Sequence, residues 1–231
     1  SIEDALENLL PIGEHEEEGQ DEHGRKVRHR GVYLLPNLFT TANMFAGFFS
    51  IICAIQGDFS QAAIALFVAM IFDALDGRVA RMTHTQSAFG AEYDSLSDMV
   101  AFGVAPALLA YQWALSQMGN VGLTVAFIYA ACAALRLARF NTQIDVVDKR
   151  WFIGLASPAA AAVVAATVWS VNSFSENGLT GSELPLIAVI LFGLVVGLAG
   201  LLMVSNIKYY SFKDLVLKGR VPFVVILVVV L

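Results

Sequence analysis

Cysteine is nearly absent from this chain: the 231 residues include only Cys53 and Cys132, which lie far apart within strongly apolar stretches. This spacing excludes a disulfide-stapled scaffold and a cysteine metal site, so both side chains are expected to pack as small apolar groups. Charge is scarce too, since 15% of the residues are charged and 57% are hydrophobic. Such a chain is neither disordered nor an ordinary soluble domain, and no nucleic-acid partner is expected.

The first thirty residues contain no long apolar run, so no cleavable signal peptide is expected. Nine of the 20 acidic residues fall within the first 22 positions, and the remaining chain has 14 basic residues against 11 acidic ones. We interpret residues 1–34 as an acidic cytoplasmic leader followed by a basic juxtamembrane segment. A short amphipathic helix is predicted within it because apolar residues recur at helical spacing, at Ile2, Leu6, Leu9 and Leu10.

Long apolar runs dominate the rest of the sequence. A helix of about 20 apolar residues can cross a hydrocarbon core roughly 30 Å thick. Six such helices are predicted, which indicates an all-α polytopic membrane protein with a core at 35–206; they are 35–57, 60–81, 95–118, 120–141, 153–173 and 185–206. We interpret 207–231 as a basic cytoplasmic segment and the start of a further apolar helix.

The basic residues predict the orientation of these helices. With the N-terminus inside, every Lys and Arg falls in or at the helix ends beside four cytoplasmic segments: 1–34, 82–94, 142–152 and 207–220. The three outside connections contain none. This positive-inside pattern indicates a cytoplasmic-membrane protein whose acidic cluster faces the cytoplasm.

That acidic cluster is the most informative feature of the sequence. Asp73 and Asp76 share one helical face with Gly77 and Ala80, and Asp94 and Asp98 are one turn apart on the next predicted helix. Unpaired charges near a membrane are costly, so four acids gathered there are expected to hold a cation. Oxygen ligands suit Mg²⁺ or Mn²⁺, with Ca²⁺ as a further candidate, and the number of ions, one or two, stays open.

Gly77 and Ala80 leave a slot beside the carboxylates because they have almost no side chain. A phosphate-bearing group would fit there. The alternative is that both residues only allow close helix packing, as small residues commonly do in membranes. The neighbouring carboxylates and Arg81 favour the slot.

The fixed residues of this region match a known family pattern. The pattern D-x₂-D-G-x₂-A-R-x₈-G-x₃-D-x₃-D resembles the signature of the CDP-alcohol phosphotransferases, and every fixed position is filled between residues 73 and 98. The six-helix layout is similar as well. In such enzymes a CDP-linked lipid donates its substituted phosphate to an alcohol, and CMP leaves.

The resemblance implies roles for individual residues. Asp73, Asp76 and Asp94 are implied metal ligands, with Asp98 as an additional ligand and as the general base. The implied CDP-lipid site comprises Asp73, Gly77, Ala80 and Arg81, and a polar stripe on the first helix adds Asn37 and Thr40. A homodimer is implied too.

Three further segments resemble the integral-membrane phosphatidylserine synthases of bacteria: the first-helix segment, residues 136–141 and residues 152–160. This implies CDP-diacylglycerol and L-serine as substrates, in contact with membrane lipids. Arg136, Arg139 and Ser157 are candidates for binding the serine carboxylate or the lipid diphosphate. For the two arginines, orientation of the helix end is an equally good explanation.

Two alternatives to this function remain. The acceptor could be glycerol 3-phosphate or an inositol phosphate, although a doubly charged acceptor would call for more basic residues than Arg136 and Arg139. The acids could instead form the cation pathway of a transporter. Such a pathway would distribute acids through the membrane depth, whereas here they concentrate at one end of two consecutive helices.

Overall fold

The computed structural model describes residues 34–83, 88–143, 151–174 and 184–206, together with short strands at 19–20, 26–27 and 208–210. These residues are mainly helical. The α-helices are α1 Leu34–Gln56, α2 Phe59–Thr83, α3 Ala88–Asp98, α4 Ala105–Trp113, α5 Asn120–Gln143, α6 Ser157–Phe174 and α7 Leu186–Val204. A π-helical turn, Met99–Val104, joins α3 to α4, and a 3₁₀ turn, Leu115–Met118, precedes α5.

Three of these helices are long and apolar enough to cross a membrane among the residues described: 37–56 in α1, 120–142 in α5 and 186–204 in α7. Their outward-facing side chains are large and apolar, as for Phe45, Phe127 and Ile187. A soluble protein would bury such side chains, so this surface fits a lipid environment. The chain is therefore an integral membrane protein.

Two of the six predicted helices begin more than two residues away from their predicted starts. The third was expected to begin at residue 95, but α3 begins at Ala88, and the π turn interrupts the regular helix before α4. The fifth was expected to begin at residue 153, but α6 begins at Ser157. Residues 151–153 form a strand instead, and Gly154 has a φ of 79°, which ends the extended segment. The predicted leader helix lies outside the described residues.

Helices α1 and α2 form a tight antiparallel hairpin. Gly57 has a φ of 85°, and the amide of Asp58 donates to the carbonyl of Cys53, five residues back, over 2.9 Å. This is a Schellman-type end, which glycine favours because it has no Cβ to clash. The hairpin brings the start of α1 beside the end of α2, where Asp73 and Asp76 lie.

The helices approach one another closely through small residues. The α1–α2, α5–α7 and α2–α6 pairs make the most extensive contacts. A Cβ built on Gly47 would lie 2.5 Å from Cα of Ala101, and one on Gly200 would lie 3.0 Å from Cα of Tyr129. A Cβ would overlap Ala101 at Gly47 and would be a tight contact at Gly200, so glycine allows the close approach of α1 to the π turn and of α7 to α5.

Short strands connect the beginning of α6 to the end of α7. Strand β3, Trp151–Ile153, pairs antiparallel with β4, Lys208–Tyr210, and the amide of Leu155 donates to the carbonyl of Leu202 over 3.0 Å. A separate two-residue pair, β1 Gly19–Gln20 and β2 Lys26–Val27, lies in the leader. The β3–β4 pairing fixes the N-terminal end of α6, where Ser157 is fully buried.

Candidate active site

Three of the predicted metal ligands come together between α2 and α3. Asp73, Asp76 and Asp94 each offer a carboxylate oxygen, and these three oxygens all lie within 4.8 Å of one another. We call these residues the carboxylate triad. Two come from one face of α2, because they are three residues apart, and the third comes from the second half of α3.

Asp98 lies beside the triad but has different partners. Its carboxyl group is within hydrogen-bond reach of Asp73. Its Oδ1 also accepts a hydrogen bond of 3.0 Å from Nδ2 of Asn43, which is fully buried on α1. A residue of α1 therefore orients the side chain of Asp98, whereas the triad consists of residues from α2 and α3 alone.

Buried oxygens of this site lack partners among the described residues. They are Oδ2 of Asp76, Oδ1 of Asp94 and Oδ1 of Asn43. Asp94 lies just outside the third predicted membrane span, and burial, followed by the negative charge of Asp73, raises its pKa to about 6. Crowded carboxylates with unsatisfied oxygens are unfavourable unless a cation neutralises them. The residues present therefore fit a hard divalent ion.

Arg136 on α5 joins this acidic group to α6. Its Nη1 donates a hydrogen bond of 2.6 Å to Oγ of Ser157, and its guanidinium interacts electrostatically with Asp98 and Asp73. Its buried Nε has no hydrogen-bond partner among the described residues. Arg136 thus places a positive charge with an unused donor beside the carboxylates.

Arg139, one turn further along α5, has different contacts. Its Nη1 donates to the carbonyl of Val204 over 3.1 Å and to Oδ1 of Asn206 over 3.0 Å. The last carbonyls of a helix lack partners within the helix and carry a partial negative charge, so a cation stabilises them. The recorded contacts of Arg139 therefore hold the end of α7, apart from the acidic group.

The predicted nucleotide-binding residues on α1 lie next to the triad. Thr40 is buried, its hydroxyl forms a hydrogen bond with Asp76, and its carbonyl accepts one of 2.9 Å from Ser97. Asn37 is half-buried, three residues earlier. These contacts place the N-terminal part of α1 against both acidic helices.

Gly77 has open space beside it. A Cβ built on this residue would meet nothing within 4 Å among the described residues, in contrast to one on Gly47. Close helix packing therefore does not explain the absence of a side chain at Gly77, and this favours the slot over the packing alternative. The side chains of Ala80 and Arg81 lie outside the described residues.

Polar contacts that the sequence did not reveal hold α3 in place. On the α1 side, the hydroxyls of Thr41 and Tyr93 are 2.9 Å apart. On the α5 side, Ser95 donates to Oδ1 of Asn141 over 3.1 Å, and Asn141 donates to Glu92 over 3.3 Å. Polar side chains recur along 92–97, but their partners depend on helix rotation, which spacing alone does not give.

Comparison with known proteins shows which family this chain resembles. Residues 33–201 match the family model for CDP-alcohol phosphatidyltransferases. A CDP-diacylglycerol–serine O-phosphatidyltransferase of Helicobacter pylori is 43% identical over 182 residues, which is 79% of this chain and 74% of the relative. Proteins of the same name are 36% identical in Methanocaldococcus jannaschii, over 80% of this chain and 78% of the relative, and 33% identical in Bacillus subtilis, over 78% and 91%.

The matched region begins just before α1 and reaches into α7, so it includes every residue of the carboxylate triad together with Asn43, Asp98, Arg136 and Ser157. The chain belongs to the CDP-alcohol phosphatidyltransferase family.

Proposed function

We propose that this protein transfers the phosphatidyl group of CDP-diacylglycerol to the hydroxyl of L-serine, producing phosphatidylserine and CMP. The observation that carries this proposal is the placement of Arg136 and Asp98 beside the carboxylate triad. One site thereby combines a place for a metal-bound diphosphate, a base and a cation for the acceptor. The relatives described above are serine O-phosphatidyltransferases, which supports the choice of serine.

The triad is the proposed metal site. Asp73, Asp76 and Asp94 would hold Mg²⁺ or Mn²⁺, with Ca²⁺ as a further candidate, as one or two ions, and Asp98 is proposed to contribute to the ligand set. When bound, the divalent ion neutralises the diphosphate and stabilises the departing CMP. The unpartnered oxygens of Asp76 and Asp94 support this assignment.

The CDP-lipid is proposed to bind along α1 and α2. Gly77 supplies open space beside Asp76, so a phosphate group can approach the backbone of α2 there. Thr40 and Asn37 are proposed to line the cytidine side of this pocket, and Asp73, Ala80 and Arg81 to complete it. Thr40 already contacts Asp76, which supports a common site for nucleotide and metal.

Asp98 is the proposed general base. In the reaction the serine oxygen forms a bond to the lipid-linked phosphorus, the bond to the CMP oxygen breaks, and the hydroxyl proton passes to the Asp98 carboxylate. Asn43 would orient this carboxylate through its hydrogen bond. Because Asp98 also lies next to Asp73, the base is close to the metal site.

Arg136 and Ser157 are the proposed binding residues for the serine carboxylate. The free Nε of Arg136 offers a donor to an anion, and Ser157 lies at the N-terminal end of α6, where helical amides favour negative charge. Arg139 was expected to share this role. Its contacts with the end of α7 support a different proposal, in which it anchors that helix.

The membrane arrangement is proposed from sequence and fold together. Six membrane-crossing segments with a cytoplasmic N-terminus put the triad at the cytoplasmic face of a bacterial inner membrane, where nucleotide is available. The distribution of basic residues supports this orientation. A homodimer is proposed from family resemblance.

Release of CMP tests the function. Detergent-purified protein with CDP-diacylglycerol should release CMP only when both L-serine and Mg²⁺ or Mn²⁺ are present, and mass spectrometry should identify phosphatidylserine. Equal turnover with glycerol 3-phosphate or an inositol phosphate, and none with serine, would reject the serine assignment. Cation flux into liposomes without CMP release would favour the transporter alternative.

A further inference from the structure

The π turn that follows Asp98 contains an irregularity caused by proline. In a regular helix the amide of residue 106 would donate to the carbonyl of Phe102, but residue 106 is proline and has no N–H. Just before it, the amide of Ala105 donates to the carbonyl of Val100, five residues back. The Phe102 carbonyl thus loses its usual helical partner inside a fully buried segment.

Tyr129 on α5 supplies the replacement. Its side chain is fully buried, and its hydroxyl donates a hydrogen bond of 3.2 Å to the carbonyl of Phe102. A buried carbonyl without any partner would destabilise the turn, because no water is available within the membrane to take its place. The hydroxyl therefore stabilises the wide turn in the form that Pro106 requires.

Small residues fix the same turn on its other sides. A Cβ on Gly47 of α1 would lie 2.5 Å from Ala101, and one on Gly103 would lie 3.3 Å from the Cβ of Ala133 on α5. Gly47 is one helical turn after Asn43, the residue that binds Asp98. The contact that packs the π turn and the contact that orients Asp98 are therefore neighbours on one face of α1.

We propose that Tyr129 is a positioning residue for the transfer reaction. Its hydroxyl stabilises the π turn, and the turn sets the rotation of α3 so that Asp98 meets Asn43 and Asp73. Each residue added to or removed from a helical turn changes the rotation between the segments on its two sides by about 100°, so a change of the turn would rotate Asp98 in α3 away from both partners. This inference rests on the proposed role of Asp98 as the base.

The variant Tyr129→Phe tests this role because it removes only the hydroxyl. We expect kcat for CMP release to fall about tenfold, since small misplacements of a reacting group are costly, while the KM for serine stays unchanged. Tyr111→Phe, which removes a hydroxyl from half-buried Tyr111 on α4, is the matched control and should retain the wild-type kcat. An unchanged kcat in Tyr129→Phe, or a raised KM with kcat preserved, would overturn the proposal.

The same Tyr129→Phe change in a Pro106→Ala variant tests whether the hydroxyl replaces the hydrogen bond that Pro106 cannot make. In Pro106→Ala the restored amide can donate to the Phe102 carbonyl, so adding Tyr129→Phe should now change kcat by less than about twofold. An equal loss in both backgrounds would overturn the assignment of the hydroxyl to this carbonyl.

Hydrogen exchange separates this inference from the proposed function. Amides in peptides covering 99–105 should exchange faster in Tyr129→Phe than in the wild type, while exchange in peptides from α6 should not change. Exchange in 99–105 at the wild-type rate would overturn the inference, even if the variant had lost activity. Wild-type protein that releases no CMP with serine would refute the proposed function, and the exchange result would still decide whether Tyr129 stabilises the turn.

Discussion

The side-chain amide of Asn43 donates a 3.0 Å hydrogen bond to Asp98, so a neutral residue of α1 determines where the last aspartate of the acidic motif points. Asn43 is fully buried and its amide oxygen has no partner among the described residues. The pair therefore links the first helix of the fold to the proposed base.

Replacing Asp98 by Asn should abolish transfer while leaving the lipid substrate bound. The variant keeps the size of the side chain but removes the proton acceptor, so the rate of CMP release should fall about 10²- to 10⁴-fold. Asp58→Asn is the matched control, because Asp58 is exposed on the α1–α2 turn at the opposite end of the hairpin. Both serine-dependent CMP release and the binding of CDP-diacylglycerol are measured for each variant. Full activity of Asp98→Asn would reject the role of Asp98 as the base.

The carboxylate triad should determine metal affinity. Asp76→Asn and Asp94→Asn each remove a charged oxygen ligand, so Mn²⁺ affinity should fall about tenfold or more. Titration followed by electron paramagnetic resonance measures this affinity, again with Asp58→Asn as control. Unchanged Mn²⁺ binding in both variants would place the metal elsewhere.

The space beside Gly77 should distinguish ligand binding from packing. Gly77→Leu fills the slot, and the KM for CDP-diacylglycerol should rise about tenfold, equivalent to about 1.4 kcal/mol, because the lipid phosphate would meet a side chain. The melting temperature should stay close to wild type, since a Cβ at Gly77 has no neighbour within 4 Å in the part of the chain that the structure describes.

Gly47→Ala provides the contrast. Its Cβ would overlap Ala101, so this variant should lower the melting temperature. If Gly77→Leu behaved in the same way, with a lower melting temperature and an unchanged KM, Gly77 would be a packing residue.

The two arginines of α5 should have separable effects. Arg136→Lys replaces a planar guanidinium by an ammonium whose donors all lie on one nitrogen. It cannot donate from two separate nitrogens to Ser157 and to the acceptor, so the KM for serine should rise about tenfold. Arg139→Lys should leave that KM unchanged and lower the melting temperature, because the contacts of Arg139 are with the end of α7. A raised serine KM in Arg139→Lys would return this residue to the acceptor site.

Much of the fold and of the acidic site could be predicted from the sequence. Hydropathy is averaged over many residues, so helical segments could be located, and the spacing of Asp73 and Asp76 determined a shared face. The convergence of Asp94 with them could be expected from two consecutive helices joined by a short connection. These features follow from local periodicity.

Other features depended on contacts between distant residues. The Asn43–Asp98 bond and the separation of Arg136 from Arg139 depend on the rotation of one helix against another, and the beginning of α6 depends on the pairing of β3 with β4. Pro106 lies within a predicted helix, so the sequence itself indicated an irregularity at the π turn. The hydrogen bond from Tyr129 to the Phe102 carbonyl could not be predicted, because it joins residues that are distant in sequence. Family resemblance supplied roles for residues, whereas only the fold gave their partners.

The two-residue turn at Gly57 and Asp58 has a consequence for biogenesis. In the proposed orientation α1 and α2 would enter the bilayer as one hairpin, and the charge at its tip is Asp58. Asp73 and Asp76 follow at the trailing end, on the side where the ribosome delivers them. The chain can therefore insert this hairpin without ever translocating the carboxylates that its chemistry requires.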